Sequence, residues 1–556
     1  MRILTFLFLI YVAVAVSACG RHKNTKVTPA RDHKYIVQLS PEVDIENFIP
    51  KLIQGAVGLV HDLIEEIGED VQDLLGRTYD RGSTKKVHVT NSVDIGGGFK
   101  ALTMDILDDR LLEPIITTFS EVLSIFPDDE IQFQLPKPTK SNKDKRYYIR
   151  YDPVYQPKGE QPGIVAESEP EHDEKPVTTA SPTRTTARTA PTTAATGQSK
   201  KKWPGWTSSI SPNDPSTATS TLSAAATPSS SSSNISYTQQ KNAQWNLVRI
   251  SERDLDLKKP YIYDSEAGDG VTVYVVDDGI AIHHEDFEGR AKHGWSAFGN
   301  KTSKVVTSSS AKKAQASPLD GGGHGTHVAG LIGGKTFGVA KKVNLVSVQV
   351  LSADGKGTVS NFLSGLQWIL QQEKEQNRPV IINMSLGLPK SNPGSSALDQ
   401  AVTAAVKAGL PVIAAAGNSA SDACQITPAG NSKVFTVGTT TQDDEMDSQS
   451  CYGKCVDILA PGYDVTSTYI GAKDATATMS GSSMAAPHVS GVAALLLQRL
   501  QDPTPDNLYQ LLTDLATRDK ISGIPDKKTP NALLFNGQQK TVKLSSSLLK
   551  KDGFLA

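Results

Sequence analysis

Cysteine is scarce in this chain: 556 residues carry four, Cys19, Cys424, Cys451 and Cys455. That number cannot staple a chain of this length, so a small disulfide-built scaffold is excluded. Charge of one sign is also lacking. The net charge is −2 and the sequence pI is near 6.6, which leaves no basic field for nucleic acid or an anionic membrane. Long apolar runs are missing beyond the first 16 residues, so no membrane span is expected. Compact metal-ligand spacing is missing as well. "HHEDFE" (283–288) gathers acids and histidines, but no helical His-x-x-x-His pair follows. What remains is ordinary globular material, 38% hydrophobic and 21% charged, long enough for about two to four domains with sizeable cores.

The first residues have a definite layout. "MRILTFLFLIYVAVAVSACG" places Arg2 before an apolar run from Ile3 to Val16, then small residues through Ala18. That pattern predicts a secretory signal peptide over 1–18. Val-Ser-Ala-Cys also fits a bacterial lipoprotein box with Cys19 lipidated, and both readings stay open. With secretion assumed, the three later cysteines permit one disulfide and one spare thiol.

Residues 34–136 read as a small α+β unit. "KYIVQL" (34–39), "KVHVT" (86–90), "FKALTMDI" (99–106) and "EIQFQ" (130–134) are strand-like, and the last is expected to close the unit. Ile45 to Leu75 carries apolar residues every three or four positions, and Leu112 to Ile125 also reads as helix. The order β-α-β-β-α-β is that of a ferredoxin-like split unit. From 137 to 240 the pattern dissolves into Ser/Thr/Pro/Ala-rich stretches such as "VTTASPTRTTARTAPTTAATG". These cannot bury enough surface to offset chain entropy and predict a disordered, O-glycosylated linker. Asn234 in "NIS" and Asn300 in "NKT" are N-glycosylation candidates. Basic clusters at Lys145-Arg146 and Lys200 to Lys202 could serve processing proteases or simply be solvated charge.

From 241 to 537 short apolar strands alternate with helices, ahead of a tail at 538–556. Continuous apolar strands predict a mostly parallel α/β sheet covered on both faces. In such sheets the working groups sit at the carboxyl ends of strands. Four motifs fall at such ends or at the start of the next helix. "VTVYVVDDGI" ends a buried strand in Asp277 and Asp278. A carboxylate there is costly unless a partner holds it, as an imidazole would, though a turn capped by aspartate reads the same. "GGGHGTHVAG" flanks His324 with glycines that leave an imidazole unobstructed for base catalysis, and His327 could be structural or a metal ligand. "PVIAAAGNSA" ends in Asn418, a neutral donor suited to an oxyanion, or plain turn chemistry. "MSGSSMAAPHVSG" crowds small residues around Ser483 at a helix start, as a cap or a nucleophile requires.

In the order Asp, His, Asn, Ser, these four motifs resemble the signatures of the subtilisin-like serine proteases, or subtilases. The chain order Asp…His…Ser is that of subtilisin itself. Within the family, "VYVVDDGIAIHHEDFEGRA" and "CVDILAPGYDVTSTYIGAKDATATMSGSSMAAPHVSG" are closest to the proteinase K-like branch and its fungal cerevisin type. The resemblance spans about residues 242–537.

The resemblance implies a three-layer fold and an endopeptidase acting on proteins and peptides. In it Asp277, His324 and Ser483 form a catalytic triad, and Asn418 with the Ser483 amide forms an oxyanion hole. It implies that Gly355 and Gly357, with Ser385, Leu386 and Gly387, pair with substrate backbone, and that Ala415, Ala416 and Gly417 wall an apolar specificity pocket. Cys424 and Cys455 match paired positions, leaving Cys451 free. Asp457, with carbonyls near Ser432 and Val434, matches a calcium site. No cofactor is expected for the chemistry. The front unit resembles an inhibitor-type propeptide, which makes the chain a zymogen, secreted or vacuolar. Three departures stand out: Ser482 replaces the usual threonine, Cys451 the usual asparagine, and Leu388 with "PKSNPGS" follows "SLG" where glycines are usual.

Overall fold

The computed structural model describes residues 27–67, 87–138, 236–298, 318–376, 378–500 and 502–538. The leader at 1–18, Asn234, Asn300, nearly all of the linker and residues 539–556 lie outside the described residues.

In the front unit, strand β1 (Lys34–Leu39), helix α1 (Ile45–Ile67), strands β2 (Val87–Ile95) and β3 (Phe99–Ile106), helix α2 (Leu112–Thr118) and strand β4 (Val122–Pro127) follow in order. The sheet order is β2-β3-β1-β4, with antiparallel pairs throughout. Tyr35, Val37 and Leu39 of β1 face Phe48, Leu52 and Ala56 of α1 and Ile115 and Ile116 of α2.

The second helix is shorter than the expected Leu112–Ile125. It stops at Thr118, where Phe119 turns to extended backbone (φ −98°, ψ 109°). The following apolar residues join the ladder instead, with Val122 opposite Leu39 and Ile125 opposite Val37. A tertiary partner here overrides a locally helical pattern. "EIQFQ" therefore does not close this sheet. Its strand, β5 (Ile131–Gln132), pairs elsewhere.

Antiparallel sheets commonly leave one face to water, yet in β1 every residue after Lys34 is buried. Side chains alternate, and the outer face, with Ile36, Val93, Ile95, Phe99 and Ala101, enters a core shared with the large unit. There it meets helix α5 (Val359–Gln376) and helix α6 (Ser395–Lys407). Each large apolar side chain left bare on that face would forgo about 1.5–3 kcal/mol of burial. Gly98 fits because a Cβ there would lie 3.2 Å from that of Ala404. Gln38 Nε2 adds a hydrogen bond to Gln400 Oε1 at 2.6 Å.

The large unit begins by Ser236, earlier than the expected 241, with β6 (Tyr237–Gln240) paired to β7 (Tyr261–Asp264). Helix α3 (Trp245–Ser251) lies between them. Among the described residues the main sheet has nine strands. Chain order supplies β8 (Thr272–Asp277), β9 (Ala291–Ser296), β10 (Asn344–Gln349), β12 (Val380–Met384), β14 (Val412–Ala415), β16 (Phe435–Thr440), β17 (Ile458–Pro461), β20 (Thr517–Arg518) and β21 (Ala532–Leu533). Their spatial order is β20-β21-β17-β16-β14-β12-β8-β10-β9, parallel except for β20. β8 and β12 are buried at every position.

Helix α4 (His324–Gly333) and helix α7 (Ser482–Leu497) pack on one face, in one core cluster. On the other face, α5 and α6 share their core with the front unit. α7 is buried along its whole length, as its all-round apolar sequence requires.

Candidate active site

Strand β8 delivers Asp277 to the carboxyl edge of the sheet, fully buried. His324 opens α4 and donates from Nδ1 to Asp277 Oδ1 at 2.7 Å. That bond places the hydrogen on Nδ1 and leaves Nε2 free to accept. Nε2 is buried and has no hydrogen-bond partner. Burial lowers the affinity of this imidazole for a proton. The Asp277 charge and hydrogen bond, with the Asp278 charge behind them, outweigh it, so the net shift is upward.

The neighbouring Asp278 has a different task. Its carboxylate accepts the amides of Gly322 (2.9 Å), His324 (3.2 Å) and Gly325 (2.7 Å) and so caps α4. Burial, then the Asp277 charge, push its pKa up, and the helix amides pull the other way. The glycines before His324 have a backbone reason too. A Cβ at Gly321 would lie 2.1 Å from the Asp278 carbonyl oxygen, and one at Gly322 as close to that of Ala353. The loop is glycine-rich because it lies directly on the Asp278 turn.

Ser483 is the second residue of α7, after Gly481 at φ +142°. Its hydroxyl donates to the Ser385 carbonyl at 3.0 Å. Asn418 follows β14, and its Oδ1 accepts both the amide (2.7 Å) and the hydroxyl (2.8 Å) of Ser482. The Ser482 hydroxyl in turn accepts the Gly417 amide at 3.0 Å. With Oδ1 committed, Nδ2 is the end of Asn418 left to donate. The sequence marks Ser482 only as a departure from the usual threonine; this role was not legible there beyond its place beside Ser483.

Ser385 and Leu386 are buried. Ser385 Oγ accepts from Asn383 Nδ2, whose own Oδ1 accepts from Ser490 of α7. Ala415 and Ala416 are buried at the end of β14. Gly417, at φ +105°, lies against Cys451, since a Cβ there would be 3.0 Å from its sulfur. Gly355 precedes and Gly357 ends strand β11 (Lys356–Gly357), which pairs antiparallel with β5 of the front unit. Gly387 leads into β13 (Leu388–Pro389), paired with β15 (Ile426–Thr427).

The other candidates have defined hydrogen-bond partners. His327 donates from Nε2 to the carbonyls of Val465 in β18 (Val465–Thr468) and Ala477 in β19 (Thr476–Met479), and burial pushes its pKa down to about 3, so it is neutral. His284 bonds to the Ala475 carbonyl and accepts the Asp286 amide. Among the described residues, no group of three or more His, Cys, Asp or Glu is placed to hold a metal. Asp457 accepts the Thr436 amide at 2.7 Å, and burial pushes its carboxyl up to about 6. Cys424 and Cys455 form a disulfide and Cys451 is free and buried. No helix among the described residues is long and apolar enough to cross a membrane.

A parallel sheet covered by helices on both faces, with the Asp–His pair at a strand end and serine at the head of a buried helix, defines the three-layer subtilisin-like α/β class. The subtilase family model matches residues 268–537. The chain is 43% identical over 320 residues to the subtilisin-like serine protease Rho m 2.0101 of Rhodotorula mucilaginosa, covering 54% of this chain and 88% of that one. It is 42% identical over 323 residues to cerevisin of Saccharomyces cerevisiae, covering 54% of this chain and 48% of cerevisin. It thus spans about half the length of cerevisin. Among solved structures, a cold-adapted subtilisin-like serine proteinase is 41% identical, covering 53% of this chain and 98% of that one, with a TM-score of 0.46. This chain belongs to the subtilase family of serine proteases.

Proposed function

We propose that the chain is a serine endopeptidase, made with a leader for secretion or vacuolar delivery and held as a zymogen by its front unit. The observation that carries the reading is the buried Asp277–His324 pair, with Nε2 left free to accept a proton. In the reaction Ser483 Oγ leaves the Ser385 carbonyl and attacks the scissile carbonyl carbon. Its proton passes to His324 Nε2, and Asp277 stabilises the imidazolium. Asn418 Nδ2 and the Ser483 amide donate to the oxyanion, the amide aided by the α7 N-terminus. When the C–N bond breaks, His324 returns the proton to the leaving amine. Water, activated by the same imidazole, then releases the acyl group.

Substrate backbone adds as a strand between Gly355–Gly357 and Ser385–Gly387. The small uncharged walls at Ala415, Ala416 and Gly417 suit an apolar or aromatic side chain before the scissile bond. The zymogen reading is supported by β5 lying on β11, where that strand would add.

A serine-directed phosphonate should label the active enzyme at Ser483, and Ser483→Ala should abolish labelling and hydrolysis together. Hydrolysis that persists in Ser483→Ala removes the assignment. A strong demand for Arg or Lys before the cut bond rejects the apolar pocket.

A further inference from the structure

The tail of the front unit runs along one edge of the proposed cleft. Asp128 Oδ1 accepts the Ser360 amide of α5 at 2.9 Å. β5 then pairs with β11, Gln132 opposite Lys356 and Ile131 opposite Gly357. The Phe133 amide donates to the Gly355 carbonyl at 2.8 Å, and Gln132 Nε2 to that of Asp354 at 2.7 Å. Phe133 is buried, its ring 5.4 Å from that of Phe362, and it anchors the strand to the large unit.

Beyond Phe133 the segment loses the form of a substrate. The Leu135 amide donates to the Phe133 carbonyl at 3.1 Å, closing a three-residue turn around Gln134. A strand added between two partners must stay extended to pair with both. The sequence that follows is Leu135-Pro136-Lys137-Pro138, with Pro136 buried. Each of its three peptide bonds has proline on one side. A proline nitrogen carries no hydrogen to donate to a neighbouring strand, and its ring locks φ. In the bonds 135–136 and 137–138 the leaving group would be that tertiary ring nitrogen. Meanwhile the Ser385 carbonyl holds the Ser483 hydroxyl.

We propose that residues 131–138 form a cleavage-resistant plug: the front unit covers the β11 edge of the cleft, and its turn and prolines keep the active serine from cutting it there. This rests on the peptidase reading. It follows that the front unit leaves with its cleft strand intact, and that the cut freeing the large unit lies beyond Pro138. A released front unit that keeps this strand retains its means of rebinding.

The test uses the full chain and maps new N-termini by mass spectrometry. Three samples are compared: the wild type during its own maturation, full-length Ser483→Ala incubated with active enzyme, and the Pro136→Ala/Pro138→Ala double variant. The expected result is no new N-terminus from 132 to 138 in the first two, and Ser483-dependent cuts between 133 and 138 in the double variant. A Ser483-dependent cut within 131–138 of the wild type overturns the proposal. A double variant as intact as its parent overturns the role of the prolines. Hydrolysis of a fluorogenic peptide is followed in parallel. If no Ser483-dependent hydrolysis occurs, the peptidase reading itself fails, an outcome distinct from a misplaced cut.

Discussion

Ser482 gives both its amide and its hydroxyl to Asn418 Oδ1, at 2.7 and 2.8 Å, so the residue before the proposed nucleophile decides which way that amide points. Ser482→Ala removes one of the two bonds and lets the side chain of Asn418 turn. A neutral hydrogen bond contributes about 1 kcal/mol net, so kcat should fall by roughly 3- to 10-fold. KM should hardly move, and Ser482→Thr should restore kcat. Asn418→Ala removes the donor itself and should cost about 10²–10³ in kcat. Steady-state kinetics on one peptide substrate check both, and a change confined to KM counts against the arrangement.

The adjacent acids should separate by phenotype. Asp277→Asn keeps the shape but loses the charge that holds His324, and kcat should drop by about 10⁴ with the fold intact. Asp278→Ala uncaps α4 and leaves three amides without their acceptor. It should first lower thermal stability, by about 1–3 kcal/mol. Calorimetry beside kinetics distinguishes them, and the reverse pattern would exchange the two roles.

Activity should depend on His324 being neutral. Its proton affinity is raised: burial opposes the proton, and the charge and hydrogen bond of Asp277 more than offset that. The acid limb of kcat/KM should therefore lie above the ordinary histidine value of about 6.5. For stability the sign is opposite. A raised folded-state pKa contributes stability that is complete below the unfolded pKa and is lost as pH rises through the folded one. An acid limb at or below the ordinary value would contradict the upward shift.

Non-reducing peptide mapping should link Cys424 to Cys455 and recover Cys451 as a thiol. The Cys451 sulfur shares hydrogen bonds with the hydroxyls of Ser419 (3.2 Å) and Ser421 (3.5 Å) and lies against Gly417. A maleimide should therefore label it only after unfolding. Rapid labelling of the native protein would place it at the surface.

Much of the large unit was legible because its signals are local. Short apolar runs such as "VTVYVV" and "VIINM" became buried parallel strands at the expected places, and small residues marked where α4 and α7 start. The front unit was legible in its order of elements but not in its second half. "VLSIFP" carries apolar residues that fit either period, and only the β1 edge beside it made it a strand. "EIQFQ" was recognisable as strand, but its partner, β11, is more than 200 residues away.

By itself the sequence determined which residue types stand at strand ends and helix starts, and hence the family and the chemistry within reach. Only the tertiary structure decided which group holds which. Asp278 takes the amides at the start of α4, 44 to 47 positions on, and Ser482 turns Asn418 from 64 positions away. The reason is physical. Periodicity and turn chemistry act between near neighbours, whereas the partner of a buried polar group is set by whatever the packed sheet and helices bring within about 3 Å of it.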